Sequence, residues 1–438
     1  MTGAARFRIA VLALAAGALL AAPPRAAQER VGPERFREER AAAATAPEDR
    51  RIAAIAGAVS AERLRAGISA LESFQTRDAT TAASIAAANL LHDYFVRLGL
   101  DTAHQDFAFA AEIDGVRVSG LPASNVVATI PGTVSPQEVV LIGAHFDSWS
   151  RGGTSRVFAP GADDNASGTA AIMEVARVLA GRRFDFTVRI VAFGAEEYGL
   201  HGSRFHAQAA RARGERIVGV LNLDMIGYVD RPPEDLDLIV NAASDWLATR
   251  YAEAAGRYAP LPTATTIDPQ ERASDHSPFW DNGYSALLAI EDRVVTSPHY
   301  HRPTDTLETL DLDFVAAVTA ATAASAADLA QPSRDPAPPT ALRIDTLALR
   351  SPFARVKVAR LAWSTAAGGA RGYHVYRSTT SHVDYQRLTG EPIRSASFDD
   401  WIVERPDETY YYAVTAVDGA GAESNYSPEV SSDDPGAR

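Results

Sequence analysis

The hydrophobic rhythm of the chain changes along its length. From Ser60 onward, Leu64, Ile68, Leu71 and Phe74 recur every three or four residues, the spacing of one helical face. A second helix is predicted from Thr80 to Leu98, with Gly99 ending it. Strand-like pieces follow at Phe107–Phe109 and Asn125–Ile130, the second closed by Pro131-Gly132. Three largely apolar runs come next: Val139–Ala144, Val188–Phe193 and Val218–Leu223. Short runs without polar alternation suit strands covered on both faces, as in a parallel sheet. Between the first two, Ala166–Leu179 puts Ile172, Val175, Val178 and Leu179 on one helical face. Further helices are predicted near Ser244–Arg257 and Asp313–Leu329. The alternation predicts an α/β fold over residues 60–331, a mixed, largely parallel sheet sandwiched by helices.

The pattern breaks at residues 332–339, where prolines and polar residues predict a stiff linker. Beyond it, Val356–Trp363, Gly372–Arg377, Ser397–Phe398 and Tyr410–Ala416 read as strands separated by turn residues. That spacing predicts a small all-β sandwich over 340–430. Trp363, Tyr373, Tyr376 and the tyrosines at 410–412 supply its core, and the segment resembles a fibronectin type III module. At the other end, Arg6 and Arg8 precede an apolar run from Ile9 to Ala22, then small residues to Ala27. This is the pattern of a secretory signal over 1–27, too short for a stable membrane span. Residues 28–59 form a lead-in rich in Arg, Glu and Ala. The expectation is a secreted or periplasmic protein with no transmembrane anchor after cleavage.

Composition narrows the chemistry. Of 438 residues, 46% are hydrophobic and 22% charged, ordinary for a globular protein of two domains. The net charge of -13 gives nucleic-acid binding no electrostatic support. There is no cysteine, so disulfides, thiolate catalysis and thiolate metal sites are excluded. Any metal must be held by His, Asp and Glu. No P-loop, dinucleotide fingerprint, GxSxG elbow or HExxH is present.

Acids and histidines gather where the predicted strands end. His145 and Asp147 close the first apolar run, and their i, i+2 spacing puts both side chains on one side of an extended backbone. Asp163-Asp164-Asn165 precedes a helix; one acid or Asn suffices for a cap, and a second carboxylate is free to bridge two cations. Glu196-Glu197 follows the second run, and neighbours on an extended segment point opposite ways. One can ligate while the other serves as a base. Asp224 stands between apolar residues, a costly place for a carboxylate unless it is paired or metal-bound. His301 and its rival His299 lie in a loop with Asp305, and Ser274-Asp275-His276 forms a further cluster. Strand ends in open α/β sheets are where such groups meet.

Six segments in register carry a family resemblance: Gly143–Ser148, Pro160–Gly168, Gly194–Ser203, Asn222–Gly227, Ser274–Phe279 and Tyr300–Asp305. Over residues 60–330 the chain resembles the co-catalytic di-zinc aminopeptidases. This is the family of bacterial leucyl aminopeptidases, carboxypeptidase Q and glutamate carboxypeptidase II. The resemblance implies a zinc exopeptidase-like fold and two Zn2+ ions. One ion would be held by His145 and Asp224, the other by Glu197 and His301, with Asp164 bridging. It further implies Glu196 as general base, Asp147 orienting His145, Tyr300 as oxyanion donor and Arg272 shaping the substrate pocket. Some members carry a tyrosine flanked by disulfide cysteines before the Ser-Asp-His segment, where this chain has Glu271 and no cysteine. The implied activity is removal of N-terminal residues from peptides. The alternatives are a carboxypeptidase or dipeptidase of the same fold, a glutaminyl cyclase, or a binding protein on a dead scaffold. The C-terminal module is expected to serve surface or polymer contact.

Overall fold

The computed structural model describes residues 49–292, 297–331, 336–350, 355–365, 370–379, 385–403, 408–419, 421 and 423–433. The predicted signal, residues 28–48 of the lead-in and 332–335 of the linker lie outside them. An eight-stranded mixed sheet runs in the order β1-β2-β4-β3-β5-β8-β6-β7. Its strands are β1 Asp101–Ile113, β2 Val116–Ile130, β3 Ser135–His145, β4 Phe186–Phe193, β5 Arg216–Leu223, β6 Leu236–Val240, β7 Thr263–Ile267 and β8 Ala286–Ile290. The central β4-β3-β5-β8 block is parallel, whereas β2 joins β4 and β6 joins β8 antiparallel.

The three apolar runs form β4, β3 and β5, buried along nearly their whole length. Helices α1 Arg50–Ala56, α2 Ala61–Glu72, α3 Ala82–Arg97, α4 Gly168–Leu179, α5 His201–Arg213, α6 Asp245–Tyr258, α7 Ser277–Asp281 and α8 Leu312–Ala330 complete the layers. The α1 segment of the lead-in is not loosely attached, because Ile52 and Ile55 enter the main core. Helix α8 is long and apolar enough to cross a membrane, yet it packs against α1, α2, α4 and α6 inside this domain.

Two features exceed the sequence expectation. Strands β1 and β2 make one long hairpin instead of two short pieces, and only Val126–Ile130 pairs with β4. The remainder rises past the carboxyl edge of the sheet. There Phe107, Phe109 and Ala111 pack with Ala195 and Tyr198. Interleaved polar residues mask the two-residue period in this segment. Strands β6, β7 and β8, five residues each, were too short to separate from loops by periodicity.

The C-terminal part is all-β. One sheet orders β13 Ser397–Val403, β10 Arg355–Ser364 and β9 Thr340–Arg350. The other orders β12 Gln386–Arg387, β11 Gly372–Ser378, β14 Tyr411–Val417 and β15 Val430–Ser431. Trp363, Tyr373, Tyr410 and Tyr412 lie in the core between them, and the Trp363 and Tyr373 rings meet edge-on at 5.4 Å. Pro336, Pro338 and Pro339 are buried. Asn425 donates to the Asp185 carboxylate at 2.5 Å, tying this part to the turn before β4.

Candidate metal centre

The sheet register brings the chemistry together. His145, the last residue of β3, pairs with Phe193, the last of β4, while Gly143 pairs with Asn222 near the end of β5. His145, the turn carrying Glu196 and Glu197, and Asp224 therefore leave the sheet at one edge. Asp164 comes from the irregular turn Ala162–Ser167 that opens α4, and its peptide bond to Asn165 is cis. His301 arrives from the loop before α8. Ala195, Met225 and His301 have φ of 55°, 51° and 55°. Side-chain-bearing residues seldom adopt that region, and where they do, functional turns are over-represented.

His145 Nε2 lies 3.3 Å from Asp164 Oδ1 and 3.2 Å from Asp224 Oδ1. His301 Nε2 lies 3.1 Å from Asp164 Oδ2 and 3.0 Å from Glu197 Oε2. The two oxygens of Asp164 thus face different imidazoles. Ligand atoms of His145, Glu196 and Asp224 also lie within 4.8 Å of one another, as do those of His145, Asp164 and Glu197. Glu196 is thus close enough to join the first group. His299 turns away to Thr304 Oγ1 at 3.1 Å.

Burial governs the charges. Although burial alone would lower His145, the carboxylates of Glu196 and Asp224 hold it well above its ordinary value. Burial likewise opposes charge on His301, but its bonds to Asp164 and Glu197 raise it to about 10. Asp164 resists the upward push of burial because both imidazoles hold its carboxylate below the usual range. Burial lifts Glu197 to about 7 and Glu196 well above a normal glutamate. Such a crowd of buried acids needs cations or protons to be tolerated.

Supporting groups surround these side chains. The Asp147 carboxylate accepts backbone N–H bonds from Glu196 at 3.1 Å and Glu197 at 3.2 Å. Its Oδ1 is 3.7 Å from His145 Nδ1, which sits nearer the Asp147 main-chain oxygen at 3.2 Å. Asp305, noted in the sequence without a role, accepts from the backbone N–H groups of Asp163 and Asp164 at 2.8 and 3.1 Å. Asp163 faces the other way and accepts from Gly227 at 2.9 Å, beside the buried Glu291. Ser274 donates to Asp224 Oδ2 at 2.5 Å and accepts from Asn222 Nδ2 at 2.9 Å. Sequence spacing carried no signal for Asp305, Ser274 or Glu291 as supports, because their partners are 50 or more residues away.

A cavity of about 710 Å³ opens beside the cluster. Met225, Ile239, Leu288 and Ile290 give it an apolar wall, and Tyr300 packs against them. Tyr300 also stacks on His301 with ring centroids 3.9 Å apart. Arg272 lines the cavity and forms an ion pair with Asp281.

A model described as peptidase family M28 matches residues 125–326. A probable leucine aminopeptidase of Trichophyton verrucosum is 30% identical over 262 residues, 58% of this chain and 69% of its own length. The chain belongs to peptidase family M28. Among solved structures, the LapA aminopeptidase of Legionella pneumophila superposes with a TM-score of 0.55 at 21% identity, covering 66% of this chain and 78% of that one. The glutaminyl cyclase of Porphyromonas gingivalis superposes at 0.51 and 20% identity, covering 62% and 99%. These two likenesses bear on the fold. M28 membership makes the protein a metallopeptidase and implies zinc. The residues fit that metal: the donors are imidazole nitrogens and carboxylate oxygens, and Glu197 Oε1 is buried with no hydrogen-bond partner among the described residues.

Proposed function

We propose that the protein is a secreted di-zinc aminopeptidase that removes apolar residues from peptide N-termini. The observation that carries this reading is the division of Asp164, one oxygen toward His145 and the other toward His301. In this reading His145 and Asp224 would hold one Zn2+, Glu197 and His301 would hold the second, and Asp164 would be shared between them. Zinc held there would supply Lewis acidity toward the scissile carbonyl and the attacking water.

The chain's own groups do the rest. Glu196, whose carboxylate borders the cavity, takes the proton from the attacking water and returns it to the departing amine. Tyr300, lining the cavity, donates its hydroxyl to the oxyanion. Asp147 holds the Glu196–Glu197 turn through its two backbone bonds. The surrounding carboxylates attract a free α-ammonium, which favours action at N-termini. The wall of Met225, Ile239, Leu288 and Ile290 suits an apolar side chain, and Arg272 shapes the cavity's rim.

The strand orders β13-β10-β9 and β12-β11-β14-β15 support the reading of the last 90 or so residues as a fibronectin type III-like accessory module. It would serve surface or polymer contact outside the catalytic step. Peptides, with no nucleic acid, are the partners in this account, and export follows from the predicted signal.

The test pairs zinc counting with turnover on aminoacyl-p-nitroanilides, N-blocked peptides and N-terminal glutaminyl peptides. Two zinc ions, selective loss of activity on N-blocked substrates, and Glu196→Gln retaining zinc while losing ~10²–10⁴ in kcat support the proposal. One zinc with cyclisation of glutaminyl peptides would replace it with a cyclase. Zinc loss in Glu196→Gln would make Glu196 a ligand.

A further inference from the structure

Arg77 has no solvent exposure, an unusual place for a guanidinium. It leads no helix and no strand, and nothing in its sequence context marks it. All four of its side-chain hydrogen bonds end on main-chain carbonyls. Nε donates to Phe146 O at 2.7 Å, Nη1 to Pro160 O at 2.7 Å and to Leu71 O at 3.3 Å, and Nη2 to Gly161 O at 2.8 Å. Its backbone N–H adds a bond to Ser148 Oγ at 3.0 Å.

Leu71 O lies in the last turn of α2, and the other three acceptors belong to two particular turns. Phe146 lies between His145 and Asp147, and Pro160-Gly161 leads directly to Asp163 and Asp164. The fork of Arg77 therefore spans the turn that aims one imidazole and the turn that aims the bridging carboxylate. A close fit is visible at Gly161, whose φ is +53°. A Cβ there would press on Asp164 O, reach Ser148 Cβ at 2.6 Å and stand 3.1 Å from Arg77 Nη2.

The neighbouring residues extend the same junction. Thr76 Oγ1 donates to Ser155 O at 2.6 Å, and Thr76 bridges to Ala159 in parallel. Asp78 Oδ2 accepts from Ser155 Oγ at 2.6 Å and from Tyr198 OH at 2.9 Å. Tyr198 directly follows Glu196 and Glu197. Thr76-Arg77-Asp78 thus touches the turns after β3 and after β4 and the approach to Asp164. The positive charge also sits among Asp305, Asp147 and Asp164, whose attraction opposes the cost of burying it.

We infer that Arg77 is a positioning residue for zinc binding, setting the His145 turn against the Asp164 turn before metal arrives. This rests on the proposed reading of His145 and Asp164 as ligands. The alternative is a purely structural role, in which losing Arg77 costs stability and leaves the affinity of the folded protein for zinc unchanged. Outer partners of metal ligands typically contribute ~10–100-fold to affinity. Lysine would keep the charge but not the planar fork, and its single ammonium cannot serve carbonyls on both turns in the same geometry.

The experiment is zinc competition against a chelator of known affinity, on the full chain, at a temperature where circular dichroism shows each variant folded. Arg77→Met and Arg77→Lys are compared with wild type and with Arg177→Met, which removes a partly buried ion pair to Glu174 at the far end of α4. The expected result is a weakening of zinc binding by ~10–100-fold in both Arg77 variants and wild-type affinity in Arg177→Met. Should Arg77→Met fail to fold, Arg77→Lys alone decides. Wild-type zinc affinity in a folded Arg77 variant overturns the inference. A wild-type chain that binds no zinc removes the metal reading itself, which is a different failure and is seen before any variant is made.

Discussion

Replacing Asp147 by Asn probes how the turn of paired glutamates is held. The wild-type carboxylate is wholly buried and gives one oxygen to the Glu196 N–H and the other to the Glu197 N–H. An amide keeps one acceptor and turns an NH2 toward the second N–H, so one charge-assisted bond is lost and one donor is left unpaired. A bond to a charged group contributes ~1.5–3 kcal/mol and an unsatisfied buried donor costs about 1–3 kcal/mol. The expected destabilisation is about 3 kcal/mol, or a Tm lowered by roughly 5 °C for a domain of this size. His145 should keep its tautomer, because its Nδ1 lies nearer the Asp147 main-chain oxygen than the carboxylate. Release of the turn moves Glu196, and a misplacement near 1 Å costs ~10²-fold in kcat. The assay is thermal unfolding alongside leucyl-p-nitroanilide hydrolysis at saturating zinc. An Asp147→Asn protein with wild-type Tm and kcat would refute the assignment of the carboxylate to the glutamate turn.

Three further outcomes are expected. Gly202→Ala should destabilise the fold by about 1–3 kcal/mol and lower activity, since a Cβ there meets Asn125 Oδ1 and comes within 2.5 Å of Gly194 O; an unchanged melting curve would count against that packing. His206 is buried with Nδ1 on Gln105 at 2.9 Å, and burial followed by the nearby Arg189 charge lowers it to about 3. The unfolded chain takes up this proton near pH 6.5 and the folded one does not, so the contribution is complete above 6.5 and is lost as pH falls toward 3. By pH 5 the loss is about 2 kcal/mol, and His206→Gln should flatten the urea-melt dependence on pH across that window. Leu288→Ala should lower kcat/KM for leucyl substrates about tenfold while changing alanyl substrates little, and equal losses on both would remove Leu288 from the side-chain pocket.

Much of the catalytic half is readable from the sequence because its strands are buried on both faces. Val139–Ala144, Val188–Phe193 and Val218–Leu223 are largely apolar runs, broken only by Arg189 and Asn222, and each ends within three residues of a member of the cluster. His145, Glu197 and Asp224 were legible as candidates for that reason, Asp164 and His301 were singled out by the family resemblance, and the structure brings all five together. The hairpin of β1 and β2 was not legible at its true length, since its outer half buries few side chains, against Ala79, Ala195 and Tyr198, and carries polar residues elsewhere. The supports of the site were hidden for another reason. Arg77, Asp305 and Ser274 act on main-chain atoms or on a carboxylate far along the chain, and a single sequence holds no record of such contacts.

On the proposed reading Asp164 would be shared between two zinc ions. Anomalous zinc scattering from crystals of the metal-loaded protein tests it directly. Two peaks are expected, one against His145 and Asp224 and the other against Glu197 and His301, each touched by a different oxygen of Asp164. A single peak, or two peaks of which only one touches Asp164, would contradict it.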